Sequence, residues 1–278
     1  MGRTCEKLFE LAIGERNHCA RSLAMNGILL ALQFFTVLPI HKEIPLNRKE
    51  VTTMYCALPF IGGAIGLTVY GVYELAANIL QFGPLLTAVL VVLTWIGLTG
   101  GLHVDGWADT ADAFFSYRKR EKRLEILEDP RLGAFGAMAL VLLMIMKIAL
   151  IHEVILQDMG AVYLFMMIPF LARAGLNICF STLRPAKSTG IAHFFREKLA
   201  PNVVIIVTVM SSMLILFACY YVTNQWLPPV MIAGSIAAAI FLFRRWSIKH
   251  FNGMTGDLAG AFIEGMEALL WLIVLCLL

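Results

Sequence analysis

Apolar residues in this chain run in long unbroken blocks, and the polar residues are pushed into the intervals between them. Seven blocks, at residues 56–80, 85–100, 134–156, 160–182, 202–223, 229–243 and 258–278, approach the roughly 20 residues that a helix needs to cross a hydrocarbon layer of about 30 Å. The runs are continuous and do not alternate with period two, which excludes a β-barrel. The pattern predicts an all-α, polytopic membrane protein with about seven transmembrane helices.

An eighth stretch, residues 27–40, has only about 14 residues and contains Gln33, Thr36 and Pro39. It reads as a short N-terminal re-entrant or interfacial helix. The connections then alternate. Those at 81–84, 157–159 and 224–228 are short and hold no Lys or Arg, whereas those at 101–133, 183–201 and 244–257 are long and basic. By the positive-inside rule the long loops face the cytoplasm and the C-terminus lies on the far side of the cell (inner) membrane. The segment 1–22, with Arg3, Lys7, Arg16 and Arg21, is then expected in the cytoplasm, and no cleavable signal follows it. Residues 1–278 read as a single integral membrane domain.

Composition reinforces this. The chain is 59% hydrophobic and 15% charged, against about 25% charged for a soluble domain. The net charge of +3 arises from loop residues that topology already explains, so no nucleic-acid partner is indicated and the bilayer is the expected surrounding. The six cysteines form no C-x-x-C pair and read as small apolar residues. Gly62/Gly66 and Gly97/Gly101 have the small-xxx-small spacing of closely packed membrane helices.

Three stretches carry chemistry. In the first, GGLHVDGWADTAD, the aspartates Asp105, Asp109 and Asp112 stand at i, i+4 and i+7, one face of a helix. Three stacked anions repel one another unless a divalent cation neutralises them, and hard carboxylate oxygens suit Mg²⁺. A solvated acidic helix start is the bland alternative. His103 is either a catalytic group or a polar residue of the interface. The second stretch, EDPRLGAFG, pairs Asp129 for metal with Arg131 for phosphate, and Gly133 permits close approach to a ligand. A membrane-entry turn with topology-setting charges would look the same. In the third, NGMTGDLAGAFIE, Gly256 opens the last span, and Asp257 and Glu264 share a face. Glu264 lies within the apolar run, where an ionised carboxylate is costly, so it is either a ligand or a packed structural partner. The intramembrane Lys147 and Arg173 either pair with acids or bind an anionic substrate. All three acidic stretches fall at the predicted cytoplasmic ends of spans, which favours a single metal-dependent phosphoryl-transfer site. No G-x-x-x-x-G-K-[ST] loop is present.

The strings GLHVDGWADTADAF, EDPRLGAFG, ALPFIGGAIG and GMTGDLAGAFIE, in that family's order and spacing, make the chain similar to the cobalamin synthase family, the adenosylcobinamide-GDP ribazoletransferases. The resemblance implies Mg²⁺-dependent joining of adenosylcobinamide-GDP to α-ribazole or α-ribazole 5′-phosphate, with release of GMP. It assigns the motif positions Asp105, Asp109, Asp112, Asp129, Arg131, Asp257 and Glu264. The expected arrangement has the aspartates on metal, Arg131 or Arg173 on the diphosphate, Asp112 as proton acceptor, and the α-ribazole 5′-hydroxyl attacking. Val104, Trp107, Ala113 and Asn252 depart from the family pattern. A homo-oligomer is left open. A CDP-alcohol phosphotransferase would carry an Ala-Arg pair where Ala108 is followed by Asp109, and a secondary transporter would hold its charges near the midplane rather than at helix ends.

Overall fold

The computed structural model describes residues 25–159 and 161–277. The segment 1–22 expected in the cytoplasm lies outside them. The described residues form helices α1 (Met25–Phe35), α2 (Arg48–Glu74), α3 (Pro84–Thr99), α4 (Leu102–Phe115), α5 (Arg120–Ile126), α6 (Ala134–Leu156), α7 (Val162–Thr182), α8 (Ile191–Lys198), α9 (Pro201–Thr223), α10 (Leu227–Phe251) and α11 (Gly256–Leu277). Six of these elements, counting α2 with its π-helical end Leu75–Ile79, are long and apolar enough to cross a membrane. The count rises to seven if α3 and α4 are taken as one broken span. The α9 helix buries only Val204, Thr208 and Cys219, while Met210, Met213, Leu214 and Phe217 stand exposed. An apolar helix so poorly covered by protein requires hydrocarbon around it.

Two predicted spans change. The block 85–100 is a 16-residue helix that turns 91° into α4. Gly100 and Gly101 make that turn with φ of 63° and 74°, the left-handed region that glycine enters without penalty. Gly97 and Gly101 therefore serve no close packing, since a Cβ on either would meet nothing within 4 Å. The block 229–243 extends to Phe251, so Arg244, Arg245 and Lys249 lie in the last turns of α10 and not in a loop. Basic side chains favour a helix C-terminus, and the apolar window ends before the helix does.

Gly62 and Gly66 do pack as expected. Their missing side chains let α2 lie against α7, where a Cβ on Gly62 would come within 2.5 Å of the Pro169 carbonyl oxygen. The α1 helix spans 11 residues, about 16 Å at 1.5 Å per residue, too short to cross. Beyond it, Val37 N–H bonds the Leu98 carbonyl, fixing this segment to the end of α3.

The three long connections gather at one end of the bundle. Met254 N–H bonds the Arg184 carbonyl and Ala186 N–H bonds the Met254 carbonyl. Lys187 reaches the Leu124 carbonyl and the Glu128 carboxylate, and Arg120 reaches the Lys249 carbonyl. These contacts frame the candidate site.

Candidate active site

The α4 helix leaves α3 at 91° and carries three aspartates. It is pressed against α11. A Cβ on Gly106 would stand 2.6 Å from the Asp257 carbonyl oxygen, and one on Gly260 would stand 2.9 Å from the His103 carbonyl oxygen. Only glycine at both positions permits this approach, which sets Asp105 and Asp257 in the wall of one cavity. Asp105 is exposed, and Asp109 and Asp257 are half-buried. None of the three has a salt-bridge partner among the described residues. Burial pushes the Asp109 carboxyl up to about 6, and the neighbouring charges of Asp105, Asp257 and Asp112 push the same way.

Asp112 stands apart from its two companions. One carboxylate oxygen accepts the Gly133 N–H at 2.6 Å and the other the Gly136 N–H at 2.8 Å. This α4 carboxylate thus caps α6 from outside that helix, meeting donors that every helix start leaves open. Gly133 and Gly136 are glycines because a Cβ on either would lie 2.5 Å from that carboxylate. The close approach that Gly133 permits is made to Asp112. With both oxygens so held, Asp112 is a positioning group and is poorly placed as a base.

Asp129 and Arg131 form a bidentate pair at 2.8 and 2.6 Å, reinforced by the Arg131 N–H on Asp129. The hydrogen bonds from Arg131 hold the Asp129 carboxyl down at about 2. Each is thereby occupied by the other, and the Arg131 side chain is 86% exposed.

Lys147, Arg173 and Glu264 belong to a different assembly. Lys147 pairs with Glu264 and, at 3.1 Å, with Glu267, while Arg173 donates to Glu267 at 2.8 Å and to the Pro169 carbonyl at 3.1 Å. Two cations and two carboxylates, all buried, close a neutral group that ties α6, α7 and α11 together. Glu264 is therefore engaged by Lys147 and does not converge with the aspartates as a metal cage, and Lys147 and Arg173 each hold a carboxylate, with Arg173 Nε and Nη2 unpartnered among the described residues. Glu267, fully buried, was not singled out from the sequence. Its position three residues after Glu264 within the same apolar run is the signal that marks it.

His103 is buried, and neither ring nitrogen has a hydrogen-bond partner. Gly256 lies where two cavities meet, beside Asp257. Trp107, a departure from the family pattern, donates its indole N–H to the Ala139 carbonyl at 3.1 Å and faces a separate apolar cavity. It leaves the aspartate face undisturbed.

Among the described residues no three His, Cys, Asp or Glu side chains converge as a metal cage. A Mg²⁺ site does not need one. This ion keeps several waters and binds through one or two carboxylates together with substrate phosphates. Asp105 and Asp109, adjacent and unpaired by any cation, fit that requirement.

The chain is 38% identical over 255 residues to an adenosylcobinamide-GDP ribazoletransferase of Geobacillus thermodenitrificans (strain NG80-2), a match that covers 88% of this chain and 94% of that protein. It is 34% identical over 248 residues to the protein of that name from Geobacillus sp. (strain WCH70), covering 89% and 94%. For the one from Clostridioides difficile (strain 630) the identity is 32% over 261 residues, covering 91% and 98%. No solved structure matches the chain. The family model for Cobalamin-5-phosphate synthase matches residues 27–275, and the chain belongs to that family.

Proposed function

We propose that this protein joins adenosylcobinamide-GDP to α-ribazole, or to its 5′-phosphate, and releases GMP, with Mg²⁺ at the cytoplasmic membrane face. The observation that supports this reading is the group Asp105, Asp109 and Asp257, which has no paired cation among the described residues and of which Asp105 lines the inner of two adjoining cavities and Asp257 lines both. Asp105 and Asp109 would hold Mg²⁺, which when bound neutralises diphosphate charge and steadies the leaving phosphate. Asp257 borders both cavities, so its carboxylate is placed to accept the proton of the attacking hydroxyl. Lys187 borders the outer cavity and supplies positive charge there.

The bond balance is direct. A ribose oxygen of the acceptor bonds to the cobinamide-side phosphorus, the bond from that phosphorus to the bridging oxygen breaks, and the oxygen leaves on GMP. An acceptor that serves with or without a 5′-phosphate retains that position in the product. The attacking group is accordingly a ring hydroxyl of the ribose, and the 5′-hydroxyl expected from the resemblance is set aside. The cytoplasmic orientation rests on the basic ends that gather around this site.

The test is GMP release by detergent-purified protein with Mg²⁺, adenosylcobinamide-GDP and α-ribazole, beside an Asp109→Asn variant. Release by the wild type and its loss in a folded variant are expected. No release from folded wild type would overturn the assignment.

A further inference from the structure

The two cavities that meet at Asp257 differ in character. The inner one, about 180 Å³, is walled mainly by Phe34, Phe35, Tyr55, Phe180, Phe195 and Ile263, and also lined by His103 and Asp105. Its rings are ordered. Tyr55 and Phe180 stack at 4.8 Å between centroids with 16° between planes, and Phe34 meets Phe195 edge to face at 5.1 Å. The outer cavity, about 300 Å³, is bordered by Glu128, Lys187, Thr189, His193 and Thr255. Ile191, Ala192, Gly256 and Asp257 belong to both, so a molecule held in one presents its end to the other at the carboxylate.

We propose that the inner cavity is the acceptor subsite and takes a planar, apolar heteroaromatic base, the methylated benzimidazole of α-ribazole. This rests on the reaction assigned above. Three bulky groups compete for the space: the acceptor base, the donor's guanine and the corrin. A corrin ring is far larger than the chamber, which falls below the range of ordinary drug-sized pockets. Guanine carries a polar edge whose keto oxygen and ring nitrogens need donors, and the lining offers it the carboxylates of Asp105 and Asp257 but mostly aromatic and aliphatic faces, so part of that edge stays unpaired, a basis for rejection. A benzimidazole with two methyl groups has no such edge. It offers apolar surface to Phe34, Phe195 and Ile263, and its face suits offset stacking on aromatic neighbours. Its ribose would then extend past Gly256 towards Asp257, and the polar outer cavity is left for the anionic donor. The subsite is assembled from α1, α2, α4, α7, α8 and α11, which gives the short helix α1 a role in substrate selection.

The test separates acceptor from donor kinetics. Ala259 borders the inner cavity and not the outer one, so Ala259→Phe fills it. Phe34, 37% exposed, is removed with little structural consequence in Phe34→Ala. KM is measured for α-ribazole and for adenosylcobinamide-GDP in turn, with thermal unfolding in the same detergent as the folding control. Ala259→Phe is expected to raise the α-ribazole KM at least about tenfold and leave the donor KM within about twofold. Phe34→Ala shifts the same constant in the same direction. The wild type should lose about tenfold in kcat/KM with the riboside of unmethylated benzimidazole. A rise in the donor KM alone, or no change in either constant in both variants, would overturn the subsite assignment while leaving the reaction standing. Absence of GMP release from the wild type would instead remove the reaction itself, and the subsite with it.

Discussion

The sharpest demand the structure makes falls on a glycine. A Cβ on Gly106 would sit 2.6 Å from the Asp257 carbonyl oxygen and 3.0 Å from its Cα, where ordinary contact begins at 3.4 Å. The obstructing atoms are backbone, so no rotamer change relieves them, and Gly106→Ala must drive α4 from α11 by about 0.8 Å at that point. Alanine gains about 1 kcal/mol of helix propensity over glycine, against an overpacking cost of about 1–3 kcal/mol. Net stability falls by no more than about 2 kcal/mol, and the protein stays folded. Catalysis is less forgiving, because misplacing reacting groups by about 1 Å costs about 10²-fold in rate. The shift separates Asp257 from Asp105 and Asp109, so kcat for GMP release should drop about 10²-fold with a modest change in Tm. Gly97→Ala, where a Cβ meets nothing within 4 Å, is the matched control and should behave as wild type. A Gly106→Ala enzyme within about threefold of wild-type kcat would refute the claim that this helix crossing sets the site.

Other substitutions sort the charges. Asp112→Asn replaces one acceptor of two backbone N–H groups with a donor, so it should cost about 1–2 kcal/mol in thermal unfolding, and the Mg²⁺ concentration for half-maximal rate should hold. Full stability with abolished activity would return Asp112 to the chemistry. Lys147→Met leaves Glu264 and Glu267 buried with Arg173 as their remaining cation and should destabilise by about 3–5 kcal/mol. Lys147→Met combined with Glu264→Gln should recover part of that loss, and a strictly additive pair would count against the ion group. Chelation by EDTA should abolish GMP release and added Mg²⁺ should restore it, whereas chelator-resistant turnover would remove the metal from the proposal.

Apolar runs revealed most of the helices, because a bilayer demands continuous hydrophobicity whatever the tertiary packing. They did not reveal the 91° turn at Gly100 and Gly101, since residues 85–100 look apolar whether or not the chain continues straight. Nor did they reveal that α10 continues through Arg244, Arg245 and Lys249, because helix continuity survives where hydropathy does not. The aspartate face of α4 was legible from its spacing alone. The division of labour within it was not, because the hold on Asp112 comes from Gly133 and Gly136, more than twenty residues away. The aromatic chamber had no local signature at all, as its rings come from separate helices and share no period.

Burial of charge and absence of a partner are separate signals, and this protein pulls them apart. The cost of an ion in hydrocarbon marked Lys147, Arg173 and Glu264 from sequence as either functional groups or partners in ion pairs. With Glu267 counted, that group balances two positive charges with two negative ones, and each cation is already engaged by a carboxylate. An ion group of this kind holds helices in register. Asp105, Asp109 and Asp257 show the opposite condition. They are less buried, yet their charges act on one another with no cation paired to any of them among the described residues. Folding keeps such repulsion only where the surrounding structure enforces it, and the Gly106 and Gly260 crossing with the Asp112 cap does so here. The uncompensated charge at the end of the bundle, and not the deepest charge within it, marks the place where a cation and an anionic substrate would arrive.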